Sequence, residues 1–270
     1  MPLLPSDLIL RVRAPVKGGR CEFPAVSGRV SYVRAMSNEG TEEVPLVGGW
    51  VTERVVRIDA TVRRPAGKNS KFVAELLRYL EEAGFNCAPR FLGYDDQGRE
   101  TLTFIEGNVP SDCRSIIWTD DQVAASMQLL RRLHDQTAGS EIADEAEVVC
   151  HNDYGPWNLV WRQERPVAII DFDDAAPGAR LDDLGYAAWK HLNLGLVELP
   201  VAEQRRRLSL LATSYGSEPD TELLAAIGAA QERMRRLIES APHGTEPGYA
   251  LAQIAREQQW LADHGSMLAP

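Results

Sequence analysis

The spacing of hydrophobic residues along the chain predicts short strands in its first part and long helices in its second part. Apolar and polar residues alternate over several short runs, at residues 8–13, 29–34, 55–58, 61–64, 88–94 and 100–105. Helical spacing recurs in longer runs, at residues 70–83, 119–134, 201–215, 222–240 and 247–264, and Thr119 and Gln122 form a capping box at the start of the second run. We therefore predict an α+β fold with a small β-rich N-terminal lobe and a larger, mainly helical C-terminal lobe. The lobes are expected at residues 44–107 and 108–270, after an N-terminal extension at 1–43 whose two runs would be extra strands.

The composition is that of a globular protein and narrows the range of partners. The formal net charge of −10 disfavours nucleic acid as the main partner, because neutralising phosphates requires a basic surface. No apolar run approaches the roughly 18 residues that a membrane span needs, and residues 1–5 lack the features of a signal peptide. We therefore expect a cytoplasmic protein that binds no membrane. The cysteines form no C-x-x-C pair, which predicts free thiols at Cys21, Cys87, Cys113 and Cys150.

A polar loop between two apolar runs carries the candidate chemistry. Residues 151–158 read His-Asn-Asp-Tyr-Gly-Pro-Trp-Asn, and the next buried run ends at Asp171. Phosphoryl transfer requires mainly positioned oxygen atoms and neutralised charge. This spacing suits Asp153 as the residue that orients an accepting hydroxyl, with Asn158 and Asp171 as ligands of Mg²⁺. If the runs on either side of residues 163–165 pair as a hairpin, the loop and Asp171 emerge beside each other.

These motifs resemble those of the aminoglycoside phosphotransferase family, which comprises small-molecule kinases with a protein-kinase-like fold. The family's H-G-D-x-x-x-x-N matches residues 151–158, its I-D-[FW] matches 170–172, and its D-L-[AG] matches 183–185. The resemblance covers about residues 44–195 and implies a bilobal fold that uses Mg²⁺ and ATP or GTP. Asp153 would be the catalytic residue and Asn158 and Asp171 the metal ligands. His151 and Asp183 would support the loop by hydrogen bonds.

The chain departs from the family pattern at two positions. Asn152 replaces the usual Gly. The Gly would suit a backbone with a positive φ, and Asn tolerates that conformation better than most residues. Arg63 stands where many members have Lys, and Arg keeps the charge but not its geometry. The chain also resembles a bacterial branch of uncertain substrate that includes proteins called trifolitoxin immunity proteins.

The nucleotide is expected to bind in the N-terminal lobe. Strand alternation puts Arg63 on the face of Thr61, and if that face lines the cleft, Arg63 would contact the phosphates. Glu75, on the helix that Ser70 would cap, would then pair with Arg63. Arg63 and Arg64 as solvated residues of an edge strand are the alternative. A turn at residues 47–50 suits a phosphate-covering hairpin, and the linker at Phe104 and Ile105 would meet the adenine edge.

The leading hypothesis is an ATP- and Mg²⁺-dependent kinase that phosphorylates a hydroxyl of a small molecule. An aminoglycoside-type antibiotic fits the resemblance, although the same fold also serves choline, homoserine, sugars and macrolides. A cationic acceptor would find partners in the second half of the chain, among Asp173, Asp174, Trp189, Glu198 and Glu203. A non-catalytic binding protein that gives immunity by sequestering a toxin or antibiotic is the alternative. A protein kinase is disfavoured because no D-F-G or A-P-E segment follows.

Overall fold

The computed structural model describes residues 42–46, 55–111, 113–240 and 248–269. The expected strands at 8–13 and 29–34, the turn at 47–50, and all of the N-terminal extension except residues 42 and 43 lie outside these described residues. Within them the α+β prediction is confirmed: a small sheet precedes a mainly helical part.

A five-stranded antiparallel sheet forms the N-terminal lobe, with the strand order β1-β2-β3-β5-β4. The strands are β1 (Val44–Pro45), β2 (Val56–Ile58), β3 (Thr61–Arg64), β4 (Phe91–Tyr94) and β5 (Glu100–Thr103). Residues 59–60 form the turn between β2 and β3, and β3 ends before Pro65, which has no N–H to donate. In the β3–β5 pairing Arg64 lies opposite Glu100, so their side chains share one face of the sheet.

Helix α1 (Ser70–Glu82) packs its apolar face on this sheet, with Leu76 and Leu80 fully buried. The prediction that Ser70 caps the helix is wrong. Asn69 holds the N-cap position, and the Ser70 hydroxyl accepts a hydrogen bond from the Gly67 N–H at 2.7 Å. The Asn69 amide instead reaches the C-terminal lobe, where it donates to the carbonyls of residues 173 and 175 at 3.0 and 2.9 Å.

The linker after β5 is packed against the C-terminal lobe. Asn108 and Trp161 exchange two backbone hydrogen bonds of 2.9 and 2.8 Å. A Cβ atom at Gly107 would lie 2.4 Å from Val160 Cγ1, so only glycine fits where the linker crosses that strand. The linker between the two lobes is therefore held against β-strand residues 160 and 161 by hydrogen bonds and close packing.

The C-terminal lobe is mainly helical. Its helices are α2 (Asp120–Thr137), α3 (Arg180–Leu192), α4 (Val201–Tyr215), α5 (Thr221–Glu239) and α6 (Gly248–Leu268). The predicted capping box at Thr119 and Gln122 is confirmed, with bonds of 3.2 and 2.9 Å. A Cβ at Gly185 would lie 2.5 Å from the Ala226 carbonyl carbon, so this glycine lets α3 pack closely on α5. Among the described residues, no helix has the length and apolar content to cross a bilayer.

Two small antiparallel pairs hold the candidate site. Strand β6 (Val148–Cys150) pairs with β9 (Ala176–Gly178), and β7 (Leu159–Arg162) pairs with β8 (Arg165–Ile169). The predicted β7–β8 hairpin is thus confirmed, and it delivers the loop at 151–158 and Asp171 to the same edge. The thiols of Cys87 and Cys150 are free, as predicted, and Cys21 lies outside the described residues.

Candidate active site

The backbone of the loop takes the unusual conformation that the sequence raised as a question. Asn152 has a φ of 64°, in the left-handed region that Gly and Asn adopt most easily. Its side-chain amide donates to the Asp174 carbonyl at 2.9 Å, which fixes the strained residue. Asp171 also has a left-handed φ, of 62°. Two residues in strained conformations at one edge of the fold are typical of functional sites.

Asp183 fixes the backbone of the loop. Its carboxylate is fully buried and accepts hydrogen bonds from the N–H groups of His151 and Asn152 at 2.6 and 2.7 Å. The Nε2 of His134 lies 3.0 Å from the same carboxylate. Burial alone would raise the pKa of Asp183, but the hydrogen bond and charge of His134, together with those of His151, lower it below the usual value. These are the contacts expected of a group that supports the loop.

His134 supports the site from the last turn of helix α2. Helix α2 continues to Thr137, and His134 is fully buried within it. Its Nδ1 lies 2.6 Å from the Tyr215 hydroxyl, while its Nε2 faces Asp183. His134 therefore orients the carboxylate that supports the loop.

His151 connects the loop to the strand that leads to Asp171. Its Nε2 lies 3.0 Å from the Ile170 carbonyl, and its Nδ1 accepts from the Asp153 N–H at 3.3 Å. The carbonyl requires a proton on Nε2, which leaves Nδ1 as the acceptor. One imidazole thus positions the residue before Asp171 and the backbone of Asp153.

Both carboxylate oxygens of Asp153 accept a hydrogen bond. The Tyr186 hydroxyl donates to Oδ1 at 2.5 Å, and the Asn158 amide donates to Oδ2 at 2.7 Å and to the Asp153 carbonyl at 2.9 Å. Each oxygen keeps a further lone pair, so the half-buried carboxylate has a fixed orientation and free acceptor capacity. Sequence reasoning did not identify Tyr186. Its position three residues after Asp183, on the same face of a helix, was the available signal.

Asp171 lines the cleft between the lobes. Its side chain is 49% exposed, yet protein atoms surround it on several sides. This partial desolvation and the nearby carboxylates of Asp173 and Asp153 raise the pKa of Asp171 to about 6, against the attraction of Arg64. Desolvation and the charges of Asp153 and Asp173 likewise raise the pKa of Asp174. Several carboxylates thus lie close together, and a bound divalent cation would offset the repulsion between them.

The oxygen atoms at this edge suit Mg²⁺. Both hydrogen bonds from the Asn158 amide nitrogen go to Asp153, so its Oδ1 points elsewhere and accepts no hydrogen bond from any described residue. The backbone of Asn158 accepts from the Ile170 N–H at 2.9 Å, which places Asp171 one residue away. A carboxylate and an amide oxygen are hard ligands of the kind that Mg²⁺ prefers.

The expected pair of Arg63 and Glu75 is wrong. Glu75 is exposed on α1, and the Nε of Arg63 lies 3.7 Å from Asp95 on the other face of the sheet. Since side chains alternate along a strand, Arg64 is the residue that faces the cleft. Its Nε donates to the buried Glu100 at 2.6 Å, and its terminal nitrogens reach Asp171 at 3.4 Å and Asp173 at 2.6 Å.

The linker residues proposed to meet the nucleotide lie between the two lobes. Phe104 and Ile105 are half-buried and follow directly after β5. The Phe104 N–H donates to the Ala60 carbonyl at 2.8 Å, and the Arg57 guanidinium lies 3.9 Å from the centre of its ring. The side chain of Phe104 is thus engaged with the N-terminal lobe.

The residues suggested for a cationic acceptor are partly committed elsewhere. Trp189 is buried and donates its indole N–H to Glu257 at 3.0 Å. Glu203 pairs with Arg206 at 2.7 Å, and Asp173 pairs with Arg64. A cationic acceptor would therefore find no free carboxylate at Glu203 or Asp173 and no exposed ring at Trp189.

Comparison with known proteins relates this site to characterised folds. A profile of the phosphotransferase enzyme family matches residues 106–238. A trifolitoxin immunity protein from Rhizobium leguminosarum bv. trifolii is 31% identical over 260 residues, which cover 84% of this chain and 97% of that protein.

Solved structures share the fold at low identity. Choline kinase from Cryptosporidium parvum Iowa II aligns with a TM-score of 0.56 and 14% identity, over 85% of this chain and 92% of that one. The ternary complex of streptomycin, ATP and APH(2'')-IIa aligns with a TM-score of 0.51 and 15% identity, over 82% and 92%. The predicted protein-kinase-like fold is thereby confirmed.

Proposed function

This chain belongs to the phosphotransferase enzyme family, and from that premise we propose that it transfers the γ-phosphate of ATP to a hydroxyl of a small molecule. The observation that supports this most is the carboxylate of Asp153. It is fixed by Tyr186 and Asn158 at the edge of the fold to which Asp171 is also delivered. An active site requires such convergence of several groups on one reacting centre.

Asp153 would accept a hydrogen bond from the acceptor's hydroxyl and take its proton as the phosphate is transferred. Its two fixed oxygens restrict the directions from which a hydroxyl can approach, and this positioning is the main contribution that a kinase makes. Asn158 and Asp171 would hold Mg²⁺, which when bound neutralises the charge of the phosphates. ATP is the expected co-substrate, with GTP as the alternative.

Arg64 takes over the role that the sequence suggested for Arg63. Glu100 binds its Nε and leaves both terminal nitrogens directed toward Asp171 and Asp173. A guanidinium held in this way presents the planar fork that suits a phosphate. When Mg²⁺ and ATP occupy the cleft, the metal would bind Asp171, and the terminal nitrogen of Arg64 that faces Asp171 would be free to contact the phosphates.

Family membership leaves the acceptor open, because this fold serves many hydroxyl compounds. An aminoglycoside-type antibiotic is one candidate class, since one solved relative carries streptomycin together with ATP. Choline is another, since a second solved relative is a choline kinase. Both are cationic, and both fall within an acceptor class defined by a hydroxyl group.

Immunity by sequestration is the second candidate function, and the name of the Rhizobium leguminosarum relative is the observation that favours it. A sequestering protein would protect cells without transferring phosphate. The substitution Asp153→Asn distinguishes the two functions. It should abolish protection that depends on phosphorylation and leave protection that depends on binding intact.

A screen for ATP consumption tests the proposed function. The panel comprises aminoglycosides, macrolides, choline and amino alcohols, with Asp153→Asn as the inactive control and Asp144→Asn as a matched control on an exposed loop. We expect phosphate transfer to at least one compound by the wild-type chain and the Asp144→Asn variant alone. Transfer that persists in Asp153→Asn would contradict the assignment of Asp153.

A further inference from the structure

A buried lysine lies beside the catalytic loop, and the proposed phosphate transfer does not use it. Lys190, on α3, is only 6% exposed. Its ammonium lies 3.3 Å from the ring centre of Trp189, 5.7 Å from that of Tyr186 and 6.0 Å from that of Trp157. Three aromatic rings thus form a box around one cation.

This box adjoins Asp153. Lys190 follows Tyr186 by one helical turn, so the two side chains leave the same face of α3. Tyr186 donates to the Asp153 carboxylate at 2.5 Å, and Trp157 belongs to the same loop as Asp153 and Asn158. The Tyr186 side chain therefore lies between the Lys190 ammonium and Asp153, the residue that would bind the acceptor's hydroxyl.

Among the described residues, Nζ of Lys190 forms no hydrogen bond and no ion pair within 4.0 Å, and it keeps some contact with solvent. The nearby Glu257 of α6 uses its two oxygens to accept from Trp189 and Gln253, each at 3.0 Å. An ammonium has three N–H donors, and aromatic rings replace only part of the hydration that it loses on burial.

The charges around Lys190 offset only part of the cost of burying its ammonium. Burial lowers the pKa of Lys190 to about 8, against the attraction of Glu257 and Asp153, and Arg114 lowers it further. Glu257 has itself a raised pKa because of burial. A cation that no carboxylate contacts directly, next to the reacting centre, is complementary to an anion.

An aromatic box of this kind would otherwise suit a ligand's ammonium. Here the chain's own ammonium fills it, so a second cation would meet like charge in a space already occupied. We propose that Lys190 is a specificity-determining residue that binds an anionic group, such as a carboxylate, carried by the acceptor beside its reactive hydroxyl. This rests on the proposed function, and it disfavours acceptors that bear an ammonium at that position.

The lysine content of the chain makes a direct test practical. The chain has four lysines, Lys17, Lys68, Lys71 and Lys190. In protein labelled with ¹³C at lysine Cε, the signal of Lys190 is identified by its loss in Lys190→Arg. The probes are matched in size and differ in charge: gluconate, glucose and glucosamine, with glycerate and glycerol as a smaller pair and sodium chloride as the ionic-strength control.

We expect gluconate or glycerate to shift the Lys190 signal and raise its apparent pKa, while the uncharged and cationic probes leave it unchanged. The other three lysines serve as internal references. No shift with either anion, or a shift produced only by glucosamine, would overturn the proposal.

Kinetics provide the second measurement. Among matched acceptors, the anionic member should have at least a tenfold higher kcat/KM, and Lys190→Met should remove that preference by raising KM with a smaller change in kcat. Lys190→Met should also be at least as stable as the wild type, because it removes a largely buried charge that makes no direct ion pair. A marked loss of stability in Lys190→Met would indicate a structural pair with Glu257 and contradict the proposal.

The two proposals fail differently. Binding of anions at Lys190 without phosphorylation of any acceptor refutes the kinase activity and supports the anion site. Phosphorylation that prefers the ammonium-bearing acceptor supports the kinase activity and refutes the anion site.

Discussion

The hydroxyl of Tyr186 donates a 2.5 Å hydrogen bond to Oδ1 of Asp153 and so links helix α3 to the catalytic loop. Three residues earlier on the same helix, Asp183 binds the backbone of that loop at His151 and Asn152. One helix face therefore fixes both the backbone of the loop and the direction of its carboxylate. Orientation of Asp153 depends on α3 as much as on the loop itself.

Tyr186→Phe tests this orientation. The substitution keeps the ring in its packing position and removes only the hydrogen bond to Asp153, whose oxygen is near enough to solvent to be hydrated. Loss of one such bond to a charged group corresponds to about 1.5 kcal/mol, or roughly tenfold in kcat. Steady-state kinetics should show this fall in kcat with an unfolding midpoint close to that of the wild type. An unchanged kcat would show that Tyr186 does not position Asp153.

Arg64→Met and Arg63→Met form a matched pair that tests which arginine faces the cleft. Arg64→Met leaves Glu100 without its charged partner, and Glu100 is 1% exposed. We expect a loss of about 3 kcal/mol in the free energy of unfolding for Arg64→Met. Arg63→Met removes only a 3.7 Å contact with Asp95 and should cost less than about 1 kcal/mol.

Urea unfolding measures both values, and nucleotide titration supplies the functional comparison. ATP should bind at least tenfold more weakly to Arg64→Lys than to Arg63→Lys, since Lys lacks the planar fork. The reverse order in either measurement would restore Arg63 to the role that the sequence suggested.

Asn152→Gly and Asn152→Ala test the left-handed backbone of the loop. Both variants lose the hydrogen bond to the Asp174 carbonyl, so their difference reports the backbone alone. At a φ of 64°, Ala is less favourable than Gly by about 1 kcal/mol. Thermal unfolding should therefore find Asn152→Gly more stable than Asn152→Ala. Equal stability would show that the loop does not need this conformation.

Asp183→Asn should destabilise the protein by about 3 kcal/mol at neutral pH, because an amide cannot satisfy three donors that face a buried carboxylate. The pKa of Asp183 is lower in the folded protein than in the unfolded chain. Its ionised form therefore stabilises the fold fully above the unfolded pKa of roughly 4. That stabilisation is lost as the pH falls through the lower, folded pKa.

The difference in stability between the wild type and Asp183→Asn should consequently be constant above about pH 5 and shrink below about pH 4. Urea unfolding at several pH values follows this difference. Asp182→Asn, on the exposed side of the same turn, provides the control and should show a much smaller effect. A difference that grew as the pH fell would contradict the lowered pKa of Asp183.

The sequence was most informative where a short pattern determines local structure. The period of hydrophobic residues predicted the hairpins and helices, and the capping box at Thr119 was recognisable because its two hydrogen bonds lie within four residues. The departure at Asn152 pointed to a positive φ, since few residues other than Gly tolerate it. Each of these conclusions rests on neighbours along the chain.

It was least informative where contacts cross between elements. Arg63 and Arg64 are adjacent and equally charged, and the face of β3 that meets the cleft depends on how the sheet packs. The partner of Arg64 is on β5 and not on the helix, which only strand register reveals. Lys190 likewise gave no signal, because the box around it combines a helix with the catalytic loop.

The most direct test of the account is to follow the γ-phosphate of ATP by mass spectrometry in the presence of Mg²⁺ and hydroxyl acceptors. The wild type and the Asp153→Asn variant are compared under identical conditions. We predict a phosphorylated acceptor with the wild type alone, and undiminished binding of ATP to Asp153→Asn because that residue does not hold the nucleotide. Equal phosphate transfer by both proteins, or failure of the wild type to bind ATP with Mg²⁺, would contradict the account.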